Sequence, residues 1–317
     1  MYKRKILITG GAGFIGSSLA ERLVKDAENL VIIVDNLFTG FTENIPESEH
    51  DNCRFVKCDV NNYYEISQVM QSTAFDFVFH YAAVVGVKRT LANPVTVLDD
   101  IQGIKNILDL SKNTGVKRVF YASSSEIYGE SVEFPQNETS TPLNSRLPYA
   151  VVKNIGEAYL KSYKQEYGID FTIFRFFNTY GAKQTKDFVV SKFIRAAKNN
   201  EPITIYGDGL QTRTFCYVDD NISAALKCLY EDLYINDVIN IGNDIEISIL
   251  RLAEVIKSIC NSQSEIIAKE MLPEGDMMRR LPDVSKMKEL LNRDLVSLEA
   301  GLDKIIKVNN LVKKEYV

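Results

Sequence analysis

The stretch that most constrains this chain is Lys5-Ile6-Leu7-Ile8-Thr9, followed at once by Gly10-Gly11-Ala12-Gly13-Phe14-Ile15-Gly16. A short apolar run without alternation reads as a strand covered on both faces, and so as part of a parallel sheet. A helical pattern follows the glycines to about Lys25. Gly10, Gly13 and Gly16 permit a tight turn, close approach of backbone to phosphate, and close helix–strand packing, with the helix N-terminus facing the anion. The same glycines would also serve a plain strand–helix turn, so the elements that follow decide between the two.

The next apolar run, Leu30 to Val34, ends in Asp35. An acidic residue about 20 positions beyond such glycines can accept both hydroxyls of an adenosine ribose and would repel a 2′-phosphate. The expected cofactor is therefore NAD rather than NADP. Strand patterns recur at 54–57, ending in Asp59-Val60, at 75–80, ending in the small-residue loop Tyr81 to Gly86, and at 118–122, ending in Ser123-Ser124-Ser125-Glu126. Helical patterns near 64–71 and 95–113 separate them. Repeated βα units imply an α/β fold, a doubly wound parallel sheet of Rossmann type with right-handed crossovers. Ligands of such sheets bind outside the carboxyl ends of the strands. The dinucleotide contacts expected there are Gly10, Gly13, Phe14, Ile15 and Gly16, then Asp35 and Asn36, Asp59 and Val60, and Ala82 and Ala83.

After Ser124 a loop, 144–148, gives way to a helical pattern over 150–167, with Tyr149 and Lys153 at its start. Residues four apart share a helix face. An ammonium beside a phenol favours the phenolate, and a tyrosine otherwise titrates near 10. Spacing alone does not separate this pair from a solvated helix face. Its place just beyond a strand that ends at Ser124 aligns it with the other strand ends.

Beyond a strand at 171–175 the alternation becomes irregular. Helices are expected at 188–198, 221–230 and 249–260, with strands at 203–206, 213–218, 238–242 and 266–267, a charged loop at 273–282, and helices to the end. The expected division is a dinucleotide-binding domain of residues 1–175, with 236–262 returning to it, and a smaller interleaved α+β substrate lobe of 176–235 and 263–317.

A net charge of −5 without any long basic run argues against nucleic acid or an anionic membrane as partner. The first apolar run is too short for a signal peptide, and no stretch approaches the roughly 20 apolar residues of a membrane span. Five cysteines, an odd number with no CxxC pair, and only two histidines give no expectation of a disulfide framework or a metal centre. A cytoplasmic location is expected.

Taken together, Thr9 to Gly16, Ser123-Ser124-Ser125, Tyr149 with Lys153, Arg175-Phe176-Phe177-Asn178 and Gln211-Thr212-Arg213 resemble the extended short-chain dehydrogenases that act on nucleotide sugars. The resemblance spans nearly the whole chain. It implies that a nucleoside-diphosphate sugar, most simply a UDP-sugar, loses hydride from C4 to NAD. Tyr149 would remove the C4 hydroxyl proton, Lys153 would hold the nicotinamide ribose, and Ser124 would hydrogen-bond the reacting oxygen. Ser125, Asn178 and Arg213 would contact substrate, the arginine offering a fixed fork to phosphate. A homodimer through the helices at 95–113 and 150–167 is also implied.

The fate of the 4-ketone divides the family. Glu126 stands where decarboxylases and dehydratases of the family carry glutamate, and Arg280 at a pocket-gating position that is arginine in uronate decarboxylases. Against them, the short segment from Gly181 to Phe188 lacks the longer insertion of decarboxylases, and Tyr206 to Gly209 and Tyr217 to Asp220 look like the epimerase branch. Asp100 replaces the asparagine usual before Ile101-Gln102-Gly103. The expectation is a 4-epimerase. The alternatives are a UDP-glucuronate-type decarboxylase, a 4,6-dehydratase, and a non-catalytic NAD-binding sensor or scaffold.

Overall fold

The computed structural model describes residues 2–47, 49, 51–130, 133–270 and 278–311. Residues 273–277 of the expected charged loop and 312–317 of the expected terminal helices lie outside the described residues. Strand β1 (Arg4–Thr9) passes through the glycine loop into α1 (Phe14–Leu23). Then come β2 (Asn29–Asp35), β3 (Cys53–Lys57), α2 (Tyr63–Ser72), β4 (Phe77–His80), α3 (Val87–Ala92), α4 (Pro94–Thr114), β5 (Arg118–Ser124), α5 (Pro148–Tyr167) and β6 (Asp170–Phe176). The remainder holds β7 (Thr179–Tyr180), α6 (Val189–Lys198), β8 (Ile203–Tyr206), β9 (Thr212–Thr214), β10 (Cys216–Tyr217), α7 (Val218–Tyr230), β11 (Asp237–Ile241), β12 (Glu246–Ser248), α8 (Ile249–Ile259), β13 (Ile266–Lys269), α9 (Ser285–Leu291) and α10 (Leu298–Leu311).

Seven strands form one parallel sheet in the order β3-β2-β1-β4-β5-β6-β11. From β1 the chain adds strands outward to β3, then returns to lay β4 on the other side of β1. That reversal is the switch point where ligands of open α/β sheets bind. Ile6, Leu7 and Ile8 on β1 are fully buried, each contributing about 1.5–3 kcal/mol of apolar burial. The two long helices carry plain start and stop signals. Proline opens α4 and α5, and left-handed glycines, Gly115 and Gly168, close them.

The chain divides into two compact units. The first comprises residues 1–127, 143–175 and 225–239, and contains the large sheet with α1 to α5. Its core joins Leu7, Val34, Ile107, Val119, Val152 and Ile173. The second comprises 128–142, 176–224 and 240–317, and holds three two-stranded sheets, β7 with β10, β9 with β12, and β8 with β13.

Several elements differ from the sequence expectation. The strand expected at 213–218 is split, because β9 pairs antiparallel with β12 while β10 pairs parallel with β7. Helix α7 starts at Val218 rather than 221, with Asp219 and Asp220 in the first turn, where the helix dipole favours acids. Helix α3 fills a stretch to which the sequence reading assigned no element; it starts after Gly86, whose φ of 102° suits glycine, and stops at Asn93, before Pro94. The division into units is also drawn differently from the domains expected above. β11 joins the large sheet, but α8 packs with α6 and α10 in the second unit.

Candidate active site

At the carboxyl end of β1, Gly10 takes a φ of 67°. A Cβ placed on Gly10 would lie 2.7 Å from the backbone of Ala82, and one on Gly16 would lie 2.4 Å from the Gly10 carbonyl oxygen. Only glycine lets the loop, the helix and the end of β4 come this close. Helix α1 begins at Gly13 with no side-chain cap and no acid in its first turn, so its positive end is open to an anion.

Asp35, at the end of β2, is buried. Its carboxylate accepts the backbone N–H of Ala12 at 3.0 Å and of Leu37 at 2.8 Å. Burial raises the Asp35 carboxyl above the usual range, against the pull of the Leu37, Ala12 and Gly13 N–H groups. A carboxylate has about four acceptor directions, so it can pin the glycine loop and still receive a diol. Asn36 donates to Asp59 at 3.1 Å, and the Asp59 carboxylate also accepts the Asn61 N–H at 2.9 Å. The ends of β2 and β3 are thereby tied together, with Val60 buried beneath them. Ala82 and Ala83 are half-buried at the end of β4. An uncapped helix end beside a buried carboxylate suits a molecule carrying a diphosphate and a ribose, which is the chemistry of a dinucleotide.

Tyr149 and Lys153 occupy the first two turns of α5. The Lys153 ammonium lies 5.7 Å from the centre of the Tyr149 ring and 5.1 Å from that of Tyr121. Lys153 is 4% exposed and donates to the Ala122 carbonyl at 2.7 Å. Burial pushes its ammonium down to about 8, and the charge of Asp100 works against that fall. Two residues beyond Ala122, the Ser124 hydroxyl accepts the Glu126 N–H at 3.2 Å. Ser125 is buried, and Glu126 is half-buried.

Three features of this unit escaped the sequence reading. The Thr9 hydroxyl accepts the Tyr81 and Ala82 N–H groups, both at 3.2 Å, and therefore donates to His80 Nδ1 at 2.9 Å. Burial, then the charge of Lys153, pushes the His80 imidazole down to about 3. Gly40 is required because a Cβ there would lie 2.9 Å from the Asp35 carboxylate oxygens. One turn past Lys153, Glu157 accepts Ser123 Oγ at 2.6 Å and Arg175 at 3.0 and 2.8 Å, all three buried. The only sequence signal for this triad was the helical spacing of Tyr149, Lys153 and Glu157.

The remaining expected residues belong to the second unit. Asn178 has a positive φ of 36° and donates to the Thr214 carbonyl at 3.0 Å. Arg213 is buried and donates to the Thr212 carbonyl at 2.7 Å. Arg280 is 5% exposed and lies in the segment before α9. Thr212 and Arg279 form a parallel bridge, and the Thr212 N–H donates to the Met278 carbonyl at 2.9 Å. Arg213 and Arg280 are the next residues on each side, and alternation gives them the same face. On the other face Glu246 takes Arg279 at 2.9 and 2.6 Å and Thr212 at 2.8 Å.

Comparison with known proteins accords with this geometry. UDP-glucuronic acid decarboxylase 1 of Danio rerio is 36% identical over 96% of this chain and 72% of its own length. A putative UDP-glucose 4-epimerase of Methanocaldococcus jannaschii is 35% identical, over 95% of this chain and 97% of its own. The crystal structure of UDP-glucose 4-epimerase with UDP-glucose from Thermotoga maritima superposes with a TM-score of 0.91 at 32% identity, covering 98% of this chain and all of that one. Residues 6–242 match the family model for NAD dependent epimerases and dehydratases. With the glycine cradle, the acid at the end of β2 and the Tyr–Lys pair of α5 in place, this chain belongs to the NAD dependent epimerase/dehydratase family.

Proposed function

We propose that this chain is a nucleotide-sugar 4-epimerase that uses NAD and takes a UDP-sugar. The observation that carries the reading is the seating of Lys153: a buried ammonium tied to the Ala122 carbonyl, with the Tyr149 ring on the same helix face and Ser124 two residues further along β5. Bound NAD would supply the hydride acceptor. Gly10, Gly13, Phe14, Ile15 and Gly16 would hold its diphosphate, Asp35 and Asn36 its adenosine ribose, and Asp59, Val60, Ala82 and Ala83 would line the rest. The acid at Asp35 disfavours a 2′-phosphate. Tyr149 accepts the proton of the sugar C4 hydroxyl, the charge of Lys153 favours the phenolate, and Ser124 and Ser125 orient the oxygen. Asn178 and Arg213 bind the diphosphate of the sugar nucleotide. Epimerisation needs no further base, and the short segment from Gly181 to Phe188 supports it.

A second reading, a UDP-glucuronate-type decarboxylase, draws support from Arg280. A guanidinium buried to this degree suits a carboxylate such as that at C6 of a uronate. Glu126 favours the same reading or a 4,6-dehydratase. The test is incubation with UDP-glucose, UDP-N-acetylglucosamine and UDP-glucuronate, with products identified by NMR. A 4-epimer is expected, and it persists in Glu126→Gln. A pentose with release of CO₂ overturns the epimerase reading in favour of the decarboxylase, and a 6-deoxy-4-keto product in favour of the dehydratase. Binding of NAD without turnover of any nucleotide sugar would favour a sensor.

The expected homodimer through α4 and α5 is part of this proposal, supported by the exposed Val95 and Leu98 on α4 and Tyr167 on α5. Light scattering that gives a monomer at micromolar concentration would remove it. The five free thiols suit a reducing, cytoplasmic compartment, and among the described residues no helix is long and apolar enough to cross a membrane.

A further inference from the structure

We infer that Glu157 is a positioning residue: by taking the Ser123 hydroxyl it latches the end of β5 to α5, and so sets where Ser124 stands relative to Tyr149 and Lys153. Every residue involved belongs to the first unit. One turn of α5 meets three consecutive residues of β5. A Cβ on Gly156 would lie 2.2 Å from the Tyr121 phenol oxygen, so only glycine lets the helix come this close to the strand. Lys153 donates to the Ala122 carbonyl at 2.7 Å, and Glu157 accepts Ser123 Oγ at 2.6 Å. The next residue of β5 is Ser124. Going back along α5 from Glu157, the four-residue spacing reaches Lys153 and then Tyr149, on one face.

The bond to Ser123 does more than satisfy a buried acid. Arg175, from β6, already gives Glu157 a fork: Nε donates to Oε1 at 3.0 Å and Nη2 to Oε2 at 2.8 Å. The serine is added on Oε1, and it joins β5 to a carboxylate that β6 holds in place. Ser123, Glu157 and Arg175 are all at most 2% exposed, so water does not compete for the bond. Its length of 2.6 Å is that of a charge-assisted bond from a hydroxyl to a carboxylate. The Lys153 tether does not set the register by itself. Its ammonium ends a flexible four-carbon stem, which can follow the Ala122 carbonyl while α5 slides along the strand. Serine has one carbon between backbone and hydroxyl, and Glu157 is held at both oxygens, so this contact permits no such slide.

Ser123→Ala is the informative substitution, because it removes the latch and leaves the Glu157–Arg175 pair whole. The first measurement is hydrogen exchange of the full chain, read by mass spectrometry. Peptides covering the end of β5 and residues 149–157 of α5 should exchange about tenfold faster in Ser123→Ala, the lower end for a lost bond to a charged group. Peptides from β1 and α1 should keep their wild-type rates. The second measurement is turnover of UDP-glucose, UDP-N-acetylglucosamine and UDP-glucuronate, and it rests on the roles of Tyr149 and Ser124 proposed above. Misplacing Ser124 against Tyr149 should lower kcat by about 10–100-fold, with KM and NAD affinity at their wild-type values. Ser123→Thr keeps the hydroxyl and should restore both exchange and kcat. A bond that served stability alone would leave kcat of the folded enzyme unchanged. Unchanged exchange in Ser123→Ala overturns the inference, as does faster exchange with an unaltered kcat, or a threonine variant as slow as the alanine one. Should Ser123→Ala fail to fold, Ser123→Cys, whose thiol is a weak donor, carries the same test. Local loosening in a protein that turns over no nucleotide sugar would sink the roles proposed for Tyr149 and Ser124 and leave the latch standing.

Discussion

Replacing Lys153 by methionine should abolish turnover and flatten the dependence of stability on pH. The unfolded lysine keeps its proton to 10.5 and the folded one only to about 8. At 1.36 kcal/mol per unit that gap costs the folded state about 3 kcal/mol wherever both states are protonated. Between the two values the unfolded chain binds more protons, so stability rises with pH through that window. By about pH 9.5 the wild type should have regained about 2 kcal/mol from this residue. Lys153→Met has no such group to titrate. At neutral pH it escapes the charge penalty but strands the Ala122 carbonyl, at a cost of about 1–3 kcal/mol. The net change there should be small, and the slope is the diagnostic quantity. Urea unfolding of both proteins across that window reads it, because the other titrating groups are common to both. Equal slopes would refute the claim that this ammonium is held out of water.

Four further outcomes are expected. Tyr149→Phe should reduce turnover by about 10²–10⁴ while calorimetry shows NAD affinity retained. His80, 6.5 unfolded and about 3 folded, makes stability fall as pH drops below 6.5. His80→Gln should escape about 2 kcal/mol of that loss at about pH 5, read from urea midpoints. Glu157→Ala removes the carboxylate that Ser123 and Arg175 share and should cost about 3–5 kcal/mol, measured by denaturant unfolding. Gly10→Ala should cost about 1–2 kcal/mol from the left-handed backbone alone, with NAD affinity falling further because its Cβ overlaps the Ala82 backbone.

Much of the first unit was legible because local rules set it. The glycines after β1 and the acid after β2 announce a cradle through backbone conformation and spacing. Pro94, Pro148, Gly115 and Gly168 mark the ends of the long helices. What escaped depends on partners distant in the chain. The break at Phe215 follows from two different pairings, one to residues 246–248 and one to 179–180. The burial of Arg280 follows from the bridge of Arg279 to Thr212, and the engagement of Glu157 depends on residues from two other strands. Asp100 was visible as a departure from the family pattern. Its bond to the Val84 N–H, which ties the loop after β4 to α4, could not be read from the sequence.

The large sheet is completed late in the chain, since β11 lies beyond β6 by almost the whole stretch from Phe176 to Asp237. On the ribosome, at roughly 5–20 residues per second, β6 would therefore wait several seconds with one row of backbone N–H and C=O groups unclaimed. An open strand edge of that kind recruits other chains. Nascent polypeptides released before β11 emerges should aggregate through it, so the yield of this protein depends on translation running without pause across that interval.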